Sequence, residues 1–428
     1  MLPCDAVTAP LPRSVYSFLC RIPGAYTSGP EAPERLVAAR RYCRVMSTTS
    51  TTAPAPSVED PRIVDLFAGP GGLDVAAHWL GLPVVGVEFD KAAVETRWAA
   101  GLETVFGDVR DYGPADFPGA NVLTGGPPCQ TFTVAGTGHG RRALDTVLKL
   151  VEMLAADDFT GVEDEVATMD DERTGLVLQP LIWALMLERT GAPYEAIVLE
   201  QVPAVLPVWE AMGQVLRTRG YGVDVGIVKT EQYGVPQTRR RAILIARHGV
   251  PDTHVRLPGP THQAFRRGVT TASPDSLPNA EGLPRWISMA EALGDDREFV
   301  VRSNYGQGGD PKRRGIRRHD EPAFTVTGKV SRNRLVLPDG TYTRLTSDQA
   351  GRLQTFPAAF PWSGTDQAQQ IGNAIPPRLG THILAAALGL RRRRLTDRFF
   401  ADRLSSWEEP SARQKERSAS IGAVSVST

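Results

Sequence analysis

Short apolar runs alternate with longer amphipathic stretches through the middle of the chain. Residues 176–190 and 379–390 repeat their apolar positions with the spacing of a helix. The runs that separate such stretches have the character of buried strands. They are residues 63–67, 84–87, 121–123, 196–199 and 242–246. Strands that alternate with helices in this way predict an α/β fold with a doubly wound, Rossmann-like parallel sheet.

The composition fits a protein with a large buried core. The chain has 428 residues, of which 41% are hydrophobic, and it carries equal numbers of basic and acidic residues. This length can form two domains. No apolar run reaches the length of about 18 residues that a membrane-spanning helix needs, so no span is predicted. The four cysteines support neither a disulfide framework nor a zinc site, and we predict no metal.

The body of the chain carries a single thiol. Three cysteines lie in the first 43 residues, and the fourth, Cys129, lies in the loop 124–133 that follows the third apolar run. A lone cysteine is usually a small buried hydrophobe. Two glycines and two prolines in this loop favour a turn over a packed element, however. We therefore interpret Cys129 as a nucleophile.

Charged residues that could assist a nucleophile adjoin the last two apolar runs. Glu200 directly follows the run 196–199, and a carboxylate there points into the crevice at the carboxyl edge of a parallel sheet. Arg239 and Arg241 precede the run 242–246 and would share one face of a strand. A solvated glutamate and a solubilising run of arginines are the simpler interpretations.

A glycine-rich loop after the first strand has the form of a nucleotide-binding turn. Its glycines are Gly69, Gly71 and Gly72. Such a loop fits NAD, FAD or S-adenosylmethionine alike, and the full dinucleotide fingerprint is absent because Asp74 stands in place of its third glycine. Glu88 follows the second strand, where an acid can bind ribose hydroxyls. Phe89 could cover an adenine ring, and Asp108 could accept a hydrogen bond from its amino group.

These features stand in the order found in the cytosine-C5 DNA methyltransferase family, which the chain resembles from about residue 61 to about residue 392. Eight segments match motifs of that family, and eight matches in the family order exclude chance. The segments are residues 65–73, 87–90, 107–109, 127–130, 200–202, 237–241, 352–357 and 370–377. The resemblance implies a DNA cytosine-5 methyltransferase that uses S-adenosylmethionine.

The resemblance also implies roles for the catalytic residues. Cys129 adds to carbon 6 of cytosine, so that carbon 5 can attack a methyl group. Glu200 protonates or hydrogen-bonds ring nitrogen 3, Arg241 contacts the base carbonyl, and Arg239 contacts a phosphate. The target atom is unreachable inside a duplex, so the base must be flipped out, at a cost of roughly a few kcal/mol.

Two binding surfaces follow from the resemblance. The residues expected to bind S-adenosylmethionine are Phe67, Gly69, Gly71, Gly72, Glu88, Phe89, Asp108, Val109, Pro128 and Asn373. DNA recognition is expected mainly within residues 237–344, which hold nineteen Lys and Arg against eleven Asp and Glu. Arg, Asn and Gln read base edges, and Lys and Arg hold phosphates. The candidate DNA contacts are Gln130, Thr133, Gln237, Arg302, Asn304, Lys312, Arg313, Arg314, Arg332 and Arg334.

The motif positions predict that a smaller target-recognition domain interrupts the catalytic domain. The predicted parts are an N-terminal extension at 1–60, a catalytic and cofactor domain at 61–248 with a surface insertion at 145–169, a target-recognition domain at 249–345, a return to the catalytic domain at 346–395 and a polar tail at 396–428. Residues 1–60 are rich in Pro, Ser, Thr and Ala. This composition leaves open a transit peptide, a disordered extension, or translation that starts at Met46.

The chain departs from the family pattern at two motif positions. Gln201 follows Glu200 where the family usually has asparagine, and its extra methylene alters its reach toward the nucleophile loop. Thr133 replaces the usual serine but keeps the hydroxyl. These departures leave a catalytically silent DNA-binding homologue as one alternative. An RNA cytosine-5 methyltransferase is the other, although the second domain lacks the Cys-Phe-Thr signature of the tRNA-methylating branch.

The expected partner is double-stranded DNA, and a cognate restriction endonuclease on another chain is a second candidate. We expect a monomer that acts in the bacterial cytoplasm, at the nucleoid. The recognised bases do not follow from the sequence.

Overall fold

The structure is a computed structural model that describes residues 56–128, 138–169, 172–268, 282–303, 315–390 and 395–422. All of them belong to one compact unit of the chain. The strands are β1 (Ile63–Leu66), β2 (Val84–Glu88), β3 (Thr104–Phe106), β4 (Val122–Gly125), β5 (Ala196–Gln201), β6 (Tyr221–Lys229), β7 (Arg240–His248), β8 (Val300–Arg302), β9 (Ile316–Arg318), β10 (Arg334–Val336) and β11 (Tyr342–Thr343). The α-helices are α1 (Gly72–Leu80), α2 (Lys91–Ala99), α3 (Gly138–Ala155), α4 (Phe159–Ala167), α5 (Gln179–Glu188), α6 (Leu206–Thr218), α7 (Met289–Leu293), α8 (Ser347–Leu353), α9 (Gln367–Asn373), α10 (Pro377–Ala387), α11 (Asp397–Leu404) and α12 (Ala412–Ala419).

The first seven strands form one sheet, in the order β3-β2-β1-β4-β5-β7-β6. The five strands β1 to β5 pair in parallel. β7 runs antiparallel to both of its neighbours, β5 and β6. The strand order reverses between β1 and β4, which is the place where doubly wound sheets bind ligands. The predicted α/β fold with a doubly wound sheet is confirmed.

Helices cover both faces of this sheet. Val64 and Leu66 point into one core and Ile63 into the other, as the alternation of a strand requires. Residues of α3, α5 and α6 fill the first core, and residues of α1 and α10 fill the second. Strands buried on both faces are continuous apolar runs in sequence, which is why the pattern predicts them well. None of the helices that the structure describes is long and apolar enough to cross a membrane.

A second sheet, in the order β11-β10-β8-β9, forms the centre of the small domain. Its strands are antiparallel. Val301 and Leu335 from these strands pack with Met289 of α7, Leu353 of α8 and Ile371 of α9. The small domain therefore has a core of its own, and its segments lie between β7 and α10 in sequence.

The boundaries of the small domain differ from the predicted range 249–345. Val250 and Val255 pack in the second core of the large domain, so the chain remains with that domain after β7. Helices α8 and α9, predicted as part of the return at 346–395, contribute to the small-domain core instead. The return comes at α10, whose Leu379 lies in the large-domain core.

The predicted surface insertion at 145–169 is partly core. Val147, Leu150 and Leu154 of α3 are fully buried against the large sheet. Their spacing is that of one helix face. In α4, by contrast, Val162 is the buried residue, Phe159 and Val166 are half-buried, and Glu163 and Asp164 are exposed. The apolar half of the segment is therefore part of the large domain, and the prediction was wrong for it.

The predicted polar tail at 396–428 contains two helices that pack on the large domain. Phe400 of α11 is fully buried, with ring centroids 6.0 Å from Trp79 and 5.2 Å from His382. Ile421, just after α12, lies in the first core. The tail prediction was wrong because these apolar anchors are isolated in a polar sequence, so no periodic run marks them.

We expect Phe400→Ala to lower the free energy of unfolding by about 3–5 kcal/mol, because it empties a fully buried aromatic site. Arg398→Ala, on an exposed position of the same helix, should change this free energy by no more than about 0.5 kcal/mol. Chemical denaturation of the full-length chain measures both. Equal stabilities of the two variants would contradict the packing of α11 against the large domain.

Candidate active site

The segments that follow β1, β2, β4 and β5 meet at the carboxyl edge of the large sheet. The glycine-rich loop and the loop that leads to Cys129 follow β1 and β4, while Glu88 and Glu200 lie at the carboxyl ends of β2 and β5 themselves. This edge is the ligand-binding crevice of doubly wound sheets. Seven of the predicted site residues lie outside the described part of the chain: Cys129, Gln130, Thr133, Asn304, Lys312, Arg313 and Arg314.

Glu88 ties the glycine-rich loop to the end of β2. The backbone N–H of Gly69 donates to Glu88 Oε2 (2.7 Å), and the N–H of Asp90 donates to Oε1 (2.7 Å). Burial raises the pKa of the Glu88 carboxyl, and these two hydrogen bonds act in the opposite direction. A Cβ placed on Gly69 would meet no heavy atom of the described chain within 4 Å. The loop thus presents open space beside an oriented carboxylate.

Close packing requires the other two glycines of the loop. Gly71 has a φ of 100°, and a Cβ there would lie 2.4 Å from Leu102 Cδ1. A Cβ on Gly72 would lie 2.3 Å from the carbonyl oxygen of Ile375. Ile375 belongs to the closing motif 370–377, so Gly72 allows that motif to approach the start of α1 directly.

The other predicted cofactor residues differ in exposure. Phe89 is 70% exposed, so its ring can cover a ligand. Asp108 pairs with Arg110 (Oδ2 to Nη2, 2.7 Å), and this side-chain contact holds the pKa of Asp108 below its usual value. Asn373 is exposed at the end of α9, where its Oδ1 accepts a hydrogen bond (2.8 Å) from a glutamine of the same helix. The buried or half-buried members are Phe67, Val109 and Pro128.

Sequence analysis missed a buried network of charged residues beneath the loop. Arg97 donates to both carboxylate oxygens of Asp74, from Nη1 (2.8 Å) and Nη2 (2.7 Å), and both side chains are fully buried. Thr124 Oγ1 donates to Asp65 Oδ1 (2.5 Å). Burial, and next the neighbouring Asp74, raise the pKa of Asp65 well above its usual range. The network connects β1 and β4 with α1 and α2, and it accounts for an aspartate at position 74.

Gln201 braces the loop that leads to Cys129. Its Nε2 donates to the carbonyl oxygen of Pro127 (2.6 Å). Its Oε1 accepts a hydrogen bond from the N–H of Val202, so the amide is held at both ends. The extra methylene of Gln201 therefore does not remove its contact with the nucleophile loop.

Glu200 and Arg241 form an ion pair where β5 and β7 meet. Glu200 lies opposite Ile243 in this pairing, and Arg241 is two residues from Ile243, so the side chains share one face of the sheet. Arg241 Nε lies 2.5 Å from Glu200 Oε1, as a charge contact rather than a directed hydrogen bond. Glu200 is 6% exposed and Arg241 9%. A Cβ on Gly126 would lie 3.7 Å from Glu200 Oε2, so the carboxylate borders the nucleophile loop.

Arg239 does not have the exposure that its predicted phosphate contact requires. Its guanidinium donates to the carbonyl oxygens of Val326 (2.8 Å), Gly372 (3.0 Å from each Nη) and Ala374 (3.2 Å). The side chain is fully buried, and burial, followed by the charge of Arg241, lowers the pKa of Arg239 well below its usual range. The structure contradicts the phosphate contact, because backbone carbonyls already occupy both Nη atoms.

Gln237 is also buried, which contradicts its predicted contact with DNA. Its Nε2 donates to Gln354 Oε1 (2.6 Å), and its Oε1 accepts from the N–H of Val326 (2.9 Å). Gln354 Nε2 donates in turn to the carbonyl oxygen of Ile371 (2.6 Å). We call this group the interdomain hub: Gln237, Arg239 and Gln354. It joins the start of β7 to α8, α9 and the segment around Val326.

Three of the predicted DNA contacts are exposed on the small domain. Arg302 and Arg334 lie opposite each other in the β8–β10 pairing, so their side chains share one face of the sheet. Arg332 is exposed in the turn before β10. The guanidinium of Arg334 lies 4.5 Å from the ring centre of Tyr342. Exposed arginines of this kind suit the phosphates of a nucleic acid.

The family model described as C-5 cytosine-specific DNA methylase matches residues 61–152 and 195–388. The two matched ranges make up about two thirds of the chain. The unmatched residues between them, 153–194, begin at the end of α3 and include α4 and α5. The family match thus includes residues 145–152 of the predicted insertion and leaves its remainder, 153–169, unmatched.

The chain is similar to two bacterial methyltransferases and to one solved fold. It is 28% identical over 342 residues to the Type II methyltransferase M.AplI of Arthrospira platensis, and the aligned region covers 75% of this chain and 84% of that protein. It is 28% identical over 336 residues to the Type II methyltransferase M.NlaX of Neisseria lactamica, with coverage of 73% and 92%. The structure of the S. pombe Dnmt2 methyltransferase has a TM-score of 0.52 at 17% identity, over 78% of this chain and 100% of that one, which shows the shared fold. The chain belongs to the C-5 cytosine-specific DNA methylase family, and it is a DNA cytosine-5 methyltransferase.

Proposed function

We propose that the protein transfers a methyl group from S-adenosylmethionine to carbon 5 of a cytosine flipped out of a short, specific sequence of double-stranded DNA. The reaction proceeds through a covalent adduct between Cys129 and carbon 6. The arrangement at the end of β5 carries the proposal. There Glu200 pairs with Arg241, and Gln201 holds Pro127, two residues before Cys129. An acid, a cation and the loop of a nucleophile thus border the same crevice.

The residues around the glycine-rich loop fit S-adenosylmethionine, which supplies an electrophilic methyl group on a sulfonium when bound. Each oxygen of Glu88 accepts one backbone N–H and retains a lone pair for a ribose hydroxyl. Phe89 offers an exposed ring to an adenine. The open space beside Gly69 allows a ligand to approach the backbone at the start of α1.

Cys129 and Glu200 share the activation of the base. Carbon 5 of cytosine is a poor nucleophile, and addition of the Cys129 thiolate to carbon 6 converts the ring to an enamine whose carbon 5 can attack the methyl group. Glu200 protonates or hydrogen-bonds nitrogen 3, which stabilises the charge that the addition places on the ring. Methyl transfer releases S-adenosylhomocysteine. Loss of the carbon-5 proton to water and return of the nitrogen-3 proton to Glu200 then expel the Cys129 thiolate and restore the aromatic ring.

Arg241 orients the same base. The carbonyl oxygen of cytosine is attached to the carbon next to nitrogen 3, so a base that binds Glu200 through nitrogen 3 presents this oxygen close by. Arg241 lies on the same face of the sheet as Glu200 and in contact with it. A guanidinium carries several N–H donors and is suited to bind a carbonyl oxygen.

We further propose a cellular setting for this reaction. The similar proteins are named Type II methyltransferases. We infer that a restriction endonuclease of the same specificity accompanies the protein on another chain. We infer that the protein acts on chromosomal DNA at the nucleoid. We also infer that it acts as a monomer.

Expression in a host that lacks cytosine methylation should place 5-methylcytosine at one short sequence throughout the genome. Cys129→Ser should abolish this methylation, because a serine hydroxyl is far less ionised than a thiol. Genome-wide mapping of 5-methylcytosine measures both results. A blank map with soluble wild-type protein would contradict methylation of DNA. A covalent complex with DNA that contains 5-fluorocytosine, formed by the wild type and not by Cys129→Ala, separates an enzyme from a silent DNA-binding homologue.

Gln201→Ala should lower kcat by roughly 5- to 150-fold, since an unpaired buried carbonyl at Pro127 is unfavourable by about 1–3 kcal/mol. Gln201→Asn should lower kcat less, because it keeps an amide donor. Gln214→Ala, at an exposed position of α6, is the matched control and should leave kcat unchanged. Steady-state methylation assays decide the matter, and equal kcat values for Gln201→Ala and Gln214→Ala would exclude the bracing role.

The affinity for S-adenosylmethionine should fall as the pH is lowered. The fall should begin at a higher pH than it would for a glutamate with the usual pKa. Burial raises the pKa of Glu88 above its usual value of 4.5, and the ribose hydroxyls need the charged carboxylate as acceptor. The affinity is therefore highest above the raised pKa, where the carboxylate is charged, and it decreases by up to about tenfold per pH unit below that pKa. Glu88→Gln should bind more weakly and lose this pH dependence. Calorimetric titration from acid to neutral pH tests this, and identical pH profiles for both proteins would contradict the role of Glu88.

A further inference from the structure

A cavity of about 310 Å³ lies beside the segment that leads into β7. We call it the Arg317 pocket. Its lining residues are Phe265, Arg267, Gly315, Ile316, Arg317 and Phe324. None of them takes part in the catalytic or cofactor site described above. Its volume is at the lower end of the range for ligand-binding cavities.

Two aromatic rings hold the guanidinium of Arg317. Its central carbon lies 4.4 Å from the ring centre of Phe265 and 4.9 Å from that of Phe324. Ring faces attract a cation and restrict its orientation. Gly315 makes room for this contact, since a Cβ there would lie 2.7 Å from Phe324 Cζ. A guanidinium held in this way is preorganised to donate to two acceptors that lie side by side.

Most of the hydrogen-bonding capacity of Arg317 is unused within the described residues. Its Nη2 donates to Thr238 Oγ1 at the long distance of 3.5 Å. Its Nε is buried and has no partner in the described part of the chain. The side chain thus has further N–H donors that a ligand in the pocket can use.

The charges around the pocket favour a neutral ligand over a phosphate. Burial lowers the pKa of Arg317, Glu321 raises it, Arg267 lowers it and Glu231 raises it. Both glutamates are largely buried. Two carboxylates near two guanidinium groups leave little net positive charge, whereas a site for backbone phosphates depends on uncompensated Lys and Arg.

The pocket lies close to the place where the target base is expected to bind. Thr238, which contacts Arg317, precedes Arg241 by three residues, or roughly 10 Å of extended chain. This length corresponds to about three base steps of a duplex. A base that contacts Arg317 would therefore lie within a few base pairs of the cytosine that binds beside Glu200 and Arg241.

We propose that Arg317 recognises a guanine of the target sequence through its N7 and O6 atoms. These are two adjacent neutral acceptors in the major groove, and their bidentate contact with arginine is the commonest specific contact to a base. Phe265 and Phe324 restrict the orientation of the guanidinium that makes this contact. The inference rests on the proposed function, and it names a specificity-determining residue for the same DNA substrate.

The test selects bound duplexes from a random pool and sequences them, which requires no methyl transfer. Wild type, Arg317→Met, Arg317→Lys and the matched control Arg318→Met are compared. Arg318 is the next residue of β9, points to the opposite face and pairs with Asp320 (2.6 Å). We expect Arg317→Met to relax one guanine position by roughly 5- to 150-fold, with all other positions unchanged. Arg318 shares a sheet face with Arg302 and Arg334, so Arg318→Met should retain the wild-type base preference whatever its effect on the overall affinity for DNA.

Two results overturn the proposal: an unchanged sequence preference of Arg317→Met, or a loss of binding that is equal for all sequences. If thermal unfolding shows that Arg317→Met does not fold, Arg317→Lys decides, because lysine keeps the charge without making two parallel hydrogen bonds. Wild-type protein that selects a sequence but deposits no 5-methylcytosine contradicts the proposed reaction, and the result for Arg317 can still be interpreted. Wild-type protein that selects no sequence contradicts both proposals.

Discussion

The buried guanidinium of Arg239 determines how the two domains meet. It donates to backbone carbonyls at Val326, between β9 and β10, and at residues 372–374, where α9 ends. Both Nη atoms of this buried guanidinium are hydrogen-bonded, while its Nε has no partner within the described residues, so the buried side chain depends on these carbonyls being in place together. Gln237 and Gln354 extend the same set of contacts to α8 and α9. The segments that the hub joins therefore form one packed unit.

The strand that carries this hub also carries the catalytic arginine and approaches the Arg317 pocket. In an extended chain, residues 237, 239 and 241 face one way and residue 238 faces the other. Gln237 and Arg239 hold the domains, and Arg241 continues along the same face to Glu200. Thr238 instead contacts Arg317. A shift of this short segment would thus change the domain contact, the catalytic pair and the proposed recognition contact together.

The sequence predicted those parts of the fold whose signal is local. Buried strands and the loops that end them are marked by short apolar runs, and the motif order indicated the family that the comparisons confirm. The DNA contact predicted for Gln237 and the phosphate contact predicted for Arg239 were wrong because the actual partners of these side chains lie far along the chain. Arg239 binds carbonyls 87 and 133 residues away, and no local pattern shows that an arginine in a basic run is buried. Phe400 was missed for the same reason, since its contacts come from α1 and α10.

The base of the cofactor loop shows how such distant contacts explain unusual residues. A glycine within β2 would ordinarily weaken the strand. Gly86 is required there because a Cβ would lie 2.0 Å from Arg97 Nη2. Arg97 is buried only because Asp74 binds it with both oxygens, and Asp74 stands where a dinucleotide site would have glycine. The packing of Gly86, Asp74 and Arg97 is thus interdependent. Breaking the buried pair of Asp74 and Arg97 would be strongly unfavourable. This packed group lies directly beneath the glycine-rich loop, and the space beside Gly69 stays open for a ligand.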